Sequence, residues 1–297
     1  MFPGEDPLLV RLLPLAWASL VITAGPAAAD ALHSWSPAAR LLASVVLWVV
    51  WAVVLLATLV PRPSGLTLLR VAAPLAVVLA LAAVPSTSPV AGLGAVAGTT
   101  AVAVLALASS VGFHFVNGAA YGDERRFPLR VPTALLLGPV PLAVVVLGLG
   151  VLSGPLLLAD GRYMAGVLAL LAGGPAAWVA GRSLYALSQR WAVLVPAGLV
   201  VKDPLTMVDP VLFPRERIAS LRPLPFPTAP ADDIVDLRLG TVKDSLVLEL
   251  TDDAVLYRTR GRQRGGQAVN VRRLAFSPAR APVLLAEAAK RRIAARS

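Results

Sequence analysis

The chain has 297 residues, of which 57% are hydrophobic and only 15% are charged. Soluble domains carry about 25% charged residues, so a large share of this chain avoids water. The absence of cysteine excludes disulfides and thiolate metal sites. The two histidines, His33 and His114, are far apart in sequence, which disfavours a histidine metal site, and we expect no cofactor.

Charge is distributed unevenly along the chain. Residues 1–190 hold 10 basic and 6 acidic side chains, whereas residues 191–297 hold 17 basic and 11 acidic ones. This change predicts a membrane domain over residues 1–188 and a water-facing domain over residues 189–297. A basic domain tethered to a membrane favours anionic phospholipid as a partner before nucleic acid. The alternative is that the charge reflects only membrane topology and an arginine-rich composition.

Six apolar stretches in the first domain are long enough to cross a bilayer, which requires about 20 apolar residues. The clearest is Leu41–Val60, which contains no charged residue. Arg70 lies within another stretch, and we expect its long side chain to reach the interface. Gly94 and Gly98 form a small-xxx-small pattern that favours close helix packing. The other five predicted helices are Leu12–Ala29, Leu66–Val84, Val90–Phe113, Pro132–Ser153 and Met164–Leu184.

Arginines orient the predicted helices. Three loops are basic, and the positive-inside rule places all three on the cytoplasmic side. The arginines concerned are Arg62, Arg70, Arg125, Arg126, Arg130, Arg182 and Arg190. The sequence therefore predicts a multipass protein of the cell membrane with both termini in the cytoplasm. An alternative concerns the first stretch, because GPAAADA resembles a signal-peptidase site, although Glu5 and Asp6 stand where a basic cluster is usual.

The apolar stretches contain almost no ionisable residue, which argues against a proton- or sodium-coupled carrier. Two predicted helices are interrupted, one by Gly138, Pro139 and Pro141 and the other by Gly173, Gly174 and Pro175. Such breaks line the substrate cavity of some transporters, but more often they are kinks that neighbouring helices absorb. A transporter or lipid-handling protein with a regulatory C-terminal domain is therefore the alternative function.

The densest polar segment of the first domain follows the fourth predicted helix. A pair of carboxylates beside His114 could perform acid–base chemistry. However, Asp123 and Glu124 are adjacent and precede two arginines, which favour the ionised carboxylates. The preferred interpretation is a solvated loop that docks on the C-terminal domain. Its predicted docking residues are Asn117, Tyr121, Asp123, Glu124, Arg125 and Arg126.

A β-rich pattern begins at Trp191. The run WAVLVPAGLVVKD has two apolar segments around Pro196-Ala197-Gly198 and predicts a hairpin. In SLVLELTDDAVLYRTR, alternating leucines predict a strand, Asp252-Asp253 predicts a turn, and Val255 begins the return strand. NVRRLAF predicts a further strand, and PARAPVLLAEAAKRRIAAR predicts a C-terminal helix with one apolar face.

Several short antiparallel strands followed by one C-terminal helix resemble the order of pleckstrin-homology-like (PH-like) domains. The resemblance is to bacterial PH-like modules of actinobacterial multipass membrane proteins, and it covers about the last third of the chain. It rests on RWAVLVPAGLVVKDP, LFPRERIASLRP and LAFSPARAPVLLAEAAKR, while the proline-rich run LRPLPFPTAP departs from a compact version of the fold. The membrane part resembles that of the same proteins, most clearly at YGDERRFPLR, and this likeness implies no established activity.

PH-like modules bind lipids, peptides or other domains, so the resemblance implies a non-catalytic interaction module. Its candidate binding surface is RTRGRQRGG, in which Arg258, Arg260, Arg262 and Arg264 alternate and share one face of an extended strand. Each could contribute about 1 kcal/mol of attraction to anionic lipid. The run also resembles arginine-glycine segments that bind nucleic acid, but it lacks the aromatic residues that stack on bases. A solvated hairpin tip is the remaining interpretation.

No motif in the chain supports an enzyme, because it has no nucleophile elbow, HExxH, P-loop or GxGxxG sequence. The sequence therefore predicts a six-helix anchor in the bilayer followed by a small cytoplasmic, β-rich, PH-like domain with a C-terminal helix. The predicted function is to present this basic domain to a protein partner or to anionic phospholipid.

Overall fold

A computed structural model describes residues 7–224, 233–241, 243–259 and 266–294. Within these residues the chain divides into two compact units. A helical unit contains the chain up to Gly118 together with Pro139–Tyr185. A β-rich unit contains Ala119–Gly138 and the chain from Ala186 onward. The segment Ala119–Gly138 therefore joins the β-rich unit although it precedes two long helices in the sequence.

Five helical segments are long and apolar enough to cross a membrane, as the hydropathy pattern predicts. They are Pro37–Leu59, Pro63–Ser86, Pro89–Leu107, Thr133–Ala159 and Tyr163–Ser188. In chain order the helices are α1 (Pro7–Ala18), α2 (Leu20–Thr23), α3 (Gly25–Leu32), α4 (Pro37–Leu59), α5 (Pro63–Ala83), α6 (Pro89–Leu107), α7 (Ser109–Asn117), α8 (Thr133–Leu137), α9 (Pro139–Ala159), α10 (Tyr163–Ser188) and α11 (Ala281–Lys290).

The first predicted helix, Leu12–Ala29, is not continuous, so the described chain has five membrane-length helices instead of the expected six. Pro26 in the first turn of α3 lacks the N–H that would continue the helix from α2. The hydroxyl of Ser19 bonds the Ala16 carbonyl, and that of Thr23 bonds the Ser19 carbonyl, a pattern that bends helices. The three short helices α1, α2 and α3 all pack against α6. At one end α1 also contacts α7, and at the other end α3 contacts the start of α6.

Small residues set the packing inside the helical unit. Gly94 and Gly98 of α6 both face Thr23, so the small-xxx-small pattern lies at a close contact with α2. Gly150 of α9 faces Gly173 of α10, where an added methyl group would meet the Gly173 carbonyl oxygen. Of the glycines that suggested a cavity near Pro175, Gly173 therefore serves a close contact between α9 and α10, whereas Gly174 meets no atom within 4 Å.

The β-rich unit contains two four-stranded sheets and the C-terminal helix α11. The first sheet has the order β1-β2-β3-β4 and is antiparallel throughout. The second has the order β5-β7-β8-β6, with β6 and β8 parallel. The strands are β1 (Arg125–Pro128), β2 (Trp191–Val195), β3 (Gly198–Lys202), β4 (Val211–Pro214), β5 (Ile218–Pro223), β6 (Ile234–Asp236), β7 (Leu246–Arg258) and β8 (Gln267–Phe276).

The predicted hairpin is confirmed, because β2 and β3 pair across Pro196-Ala197. The predicted strand NVRRLAF and the C-terminal helix are confirmed as β8 and α11. The predicted turn at Asp252-Asp253 is wrong, because β7 continues from Leu246 to Arg258. Its pairing with β8 shifts register between Glu249 and Ala254, so a bulge absorbs the acidic residues without ending the strand.

Candidate functional site

The segment Tyr121–Arg126 is held within the β-rich unit by hydrogen bonds. The carboxylate of Glu124 accepts from Arg126 Nε at 2.7 Å and from the Tyr121 backbone N–H at 3.2 Å. The Asp123 carbonyl accepts a hydrogen bond from Arg291 Nη2 at 2.8 Å, next to the end of α11. The Glu124–Arg126 hydrogen bond, first among several causes, holds the pKa of Glu124 below its ordinary value.

Strand β1 follows this segment and forms one edge of the first sheet. Its residue Phe127 lies opposite Ala192 of β2 and is fully buried. The other predicted docking residue, Asn117, lies elsewhere: it is buried in α7 and donates from Nδ2 to the Phe113 carbonyl. Tyr121 is 90% exposed, so it provides a surface side chain and adds nothing to the core.

The register of the first sheet brings two cations to one tryptophan ring. Trp191 lies opposite Lys202 of β3, and Arg126 lies opposite Val193, two residues along β2 on the same face. The Arg126 guanidinium carbon is 5.4 Å from the centroid of the Trp191 ring, and Lys202 Nζ is 4.8 Å from it. Both distances are within the range of cation–π attraction. We call Arg126, Trp191 and Lys202 the cation–tryptophan surface.

At this surface Arg126 Nε forms an ion pair with the Glu124 carboxylate at 2.7 Å. Lys202 Nζ donates to the Gln189 side chain at 3.2 Å. Partial burial and then repulsion from Arg126 lower the pKa of Lys202. A nearby anion would relieve this repulsion, so the surface is suited to bind negatively charged groups.

The same face of the first sheet also carries apolar side chains. Val195 and Val200 are half-buried and Leu212 is 47% exposed. The opposite face supplies the fully buried core residues Phe127, Leu194, Leu199 and Phe213. The two cations share this face with apolar side chains, of which Trp191 and Val193 are buried at 6% and 5% exposure. Tryptophan, lysine and arginine together are the side-chain composition found at lipid headgroup regions.

The arginine run predicted as a binding surface is only partly described. Arg258 ends β7 and pairs with Gln267 of β8. Arg260, Arg262 and Arg264 lie outside the described residues. Arg258 is therefore the one arginine of the run whose place in the second sheet is described.

Sequence reasoning missed the cation–tryptophan surface, although part of the signal was present. A two-residue turn at Pro196-Ala197 fixes the hairpin register, and this register places Lys202 opposite Trp191. Arg126 could not be added from the sequence, because its strand lies before α9 and α10 in the chain. No group of three potential metal ligands occurs among the described side chains.

Comparison of the chain with protein-family models, with curated proteins and with solved structures finds no significant match.

Proposed function

We propose that this protein is a membrane-anchored, non-catalytic interaction module of the cell membrane whose β-rich unit is a PH-like domain that binds anionic phospholipid headgroups. The observation that carries the proposal is the placement of Arg126 and Lys202 around the Trp191 ring. Each cation near an anionic membrane surface gains about 1 kcal/mol, so the pair provides roughly 2 kcal/mol.

Composition supports the same choice of ligand. Residues 191–297 carry 17 basic and 11 acidic side chains, and Arg258 begins a run of alternating arginines. Tryptophan with lysine or arginine is the combination enriched in the headgroup region of membranes. Nucleic acid is the weaker candidate, because the cation–tryptophan surface has one aromatic ring instead of a series for base stacking.

The distribution of charge within the helical unit supports a cytoplasmic location for both termini. At one set of helix ends, Arg62 precedes α5 and Arg182 lies near the end of α10. At the opposite set of ends, Asp30 bonds Thr87, which lies beyond α5, and Asp160 follows α9. An excess of arginine at one set of helix ends marks the cytoplasmic side under the positive-inside rule.

The proposal is tested by hydrogen exchange of the full chain in nanodiscs of phosphatidylcholine alone or of phosphatidylcholine with phosphatidylglycerol. We expect phosphatidylglycerol to slow exchange in β1, β2 and β3. The double variant R126Q/K202Q should lose this protection, whereas the matched variant R215Q/R217Q, which removes two exposed arginines from the same unit, should keep it. Equal exchange of the wild type in both lipids would overturn the proposal.

A further inference from the structure

The helix formed by α6 and α7 is interrupted inside the helical unit. Ala108 adopts an extended conformation, with φ −59° and ψ 139°, and separates α6 from α7. The α6 ladder ends with a bond from the Ala108 N–H to the Leu105 carbonyl, and α7 restarts with a bond from the Gly112 N–H to the Ala108 carbonyl. The break leaves carbonyl groups at the end of α6 and N–H groups at the start of α7 without helical partners.

Arg70 of α5 points at this break instead of reaching the interface as the sequence suggested. Its Nε donates to the carbonyl of Ala106 at 3.5 Å, in the last turn of α6. Its Nη2 lies against Gly112 of α7, where an added methyl group would come within 2.6 Å of it. An alanine at position 112 would therefore force the end of the Arg70 side chain to shift from this place.

No carboxylate compensates the charge of Arg70 in the described part of the chain. The helical unit has two described carboxylates, Asp30 and Asp160, and neither is near this position. Asp30 accepts from Thr87, which lies beyond the end of α5 and about 25 Å from Arg70 at 1.5 Å per residue. Asp160 pairs with Arg162 in the turn between α9 and α10.

The hydrogen-bonding capacity of Arg70 is largely unused as well. A guanidinium has five N–H donors, and the bond to Ala106 is the only one that Arg70 makes within the described residues. A cation within an apolar span is unfavourable unless a counter-charge accompanies it, and such residues usually mark functional sites.

We infer that Arg70 and the first turn of α7 bind a phosphate-class oxyanion within the helical unit. The guanidinium supplies charge and several N–H donors, and the first N–H groups of α7, from Ser109 and Ser110, supply further donors. The oxyanion is the phosphate of a lipid headgroup or a free phosphate, since both present the same oxygens. This site is independent of the cation–tryptophan surface and would exist even if that surface bound no lipid.

Thermal unfolding of the lipid-depleted full chain in neutral detergent tests the inference. Inorganic phosphate and phosphatidylglycerol micelles are added separately to wild type, R70Q and R62Q. We expect at least one anion to raise the unfolding temperature of the wild type and of R62Q, whose arginine is exposed at the start of the same helix, and to leave R70Q unchanged. A response to phosphatidylglycerol alone identifies a lipid headgroup, and a response to inorganic phosphate identifies a free anion.

A second pair of variants keeps the test valid if R70Q does not fold. G112A retains the arginine but displaces its guanidinium, so we expect the anion affinity to fall by about tenfold or more. G174A adds a methyl group where no atom lies within 4 Å and should bind as the wild type does. An unchanged affinity in G112A, or a wild type that responds to neither anion, would overturn the inference.

Discussion

Arg190 and Asp203 form an ion pair at the centre of the β-rich unit. Arg190 Nε and Nη2 lie 2.8 Å and 2.9 Å from the two carboxylate oxygens, and the side chains are 1% and 0% exposed. The same guanidinium donates to the carbonyls of Arg130 and Leu237. One side chain therefore joins the end of α10, the segment after β1 and the segment after β6, which are distant in sequence.

We expect Asp203→Ala to destabilise the β-rich unit by about 3–5 kcal/mol, because it leaves Arg190 buried without its counter-charge. Replacing both residues by apolar ones, as in R190M/D203L, should recover most of that loss. Native-state hydrogen exchange of β2 and β3 measures the free energy of opening. The exposed pair Arg215–Glu216 provides the control, since E216Q should leave this free energy nearly unchanged. A small effect of Asp203→Ala would mean that water reaches Arg190.

The pKa of Lys202 gives the cation–tryptophan surface a defined pH dependence. Burial and Arg126 lower this pKa below the ordinary value of 10.5. Because lysine is cationic below its pKa, lipid protection should be constant near neutral pH and weaken as the pH rises through the lowered pKa. Unfolding of the β-rich unit should become less favourable over the same alkaline range, since the folded state releases the lysine proton before the unfolded state does.

Hydrogen exchange in phosphatidylglycerol nanodiscs, repeated across the alkaline range, measures this effect. K202R should remove the pH dependence, because arginine stays protonated. R126Q should move the transition to higher pH by removing the repulsion. Identical pH profiles for wild type and K202R would assign the effect to another group.

Among the elements, α9 and α10 depend on glycine for their contact. A methyl group on Gly150 would meet the Gly173 carbonyl oxygen and approach Ala177 Cβ within 2.9 Å, and one on Gly154 would approach Leu170 Cγ within 2.5 Å. In a bilayer, helices gain little from burying apolar surface against one another, so this close packing is what holds the pair together.

We expect Gly150→Ala to lower the stability of the helical unit by about 1–3 kcal/mol through overpacking. Gly174→Ala is the matched control on α10, since its added methyl group meets no atom within 4 Å and should leave stability unchanged or slightly higher. Titration with sodium dodecyl sulfate, followed by loss of helicity, compares the two variants. Equal unfolding midpoints would show that α9 and α10 separate without affecting the rest of the unit.

The elements that depend on local sequence were predicted, and those that depend on contacts with distant residues were not. Continuous apolar length predicted α4, α5, α9 and α10, and the local turn at Pro196-Ala197 predicted β2 and β3. The breaks at Ser19 and Ala108 were missed because they depend on side-chain-to-backbone bonds and on packing against other helices.

Strand β1 could not be predicted from its own residues. Arg125–Pro128 is too short for a period of two to be recognised, and its partner β2 lies beyond two long helices. The preference for a docking loop over a catalytic one rested on the charges of Glu124, Arg125 and Arg126. The structure places Arg126 beside Trp191, a neighbour that no local pattern could identify.

At the scale of the whole molecule, the part of the chain that the structure describes passes between the two units three times, after Gly118, after Gly138 and after Tyr185. The first sheet therefore contains a strand from the segment between α7 and α9 as well as three strands from the C-terminal part. Phe127 of that strand is fully buried in the β-rich unit. The segment 189–297 alone lacks this core residue and exposes one edge of β2.

We expect residues 189–297, expressed alone, to associate and to give poorly dispersed NMR spectra, because β2 has an unpaired edge and the Phe127 position is empty. Fusing residues 119–138 to its N-terminus through a flexible linker should produce a monomer with dispersed resonances. The same fusion carrying Phe127→Ala should lose about 3–5 kcal/mol of unfolding free energy and serves as the control. A well-folded monomer from residues 189–297 alone would show that β1 is dispensable.

The position of β1 also imposes an order of events during synthesis. The ribosome completes Arg125–Pro128 before α9 and α10, and only afterwards makes Trp191–Val195, the strand with which β1 pairs. At about 5–20 residues per second, the interval is about 3–13 s. During this time α9 and α10 enter the bilayer. Strand β1 stays unpaired, with its N–H and C=O groups bound to water. Arg125 and Arg126 keep that nascent strand soluble and prevent it from following its apolar neighbours into the membrane.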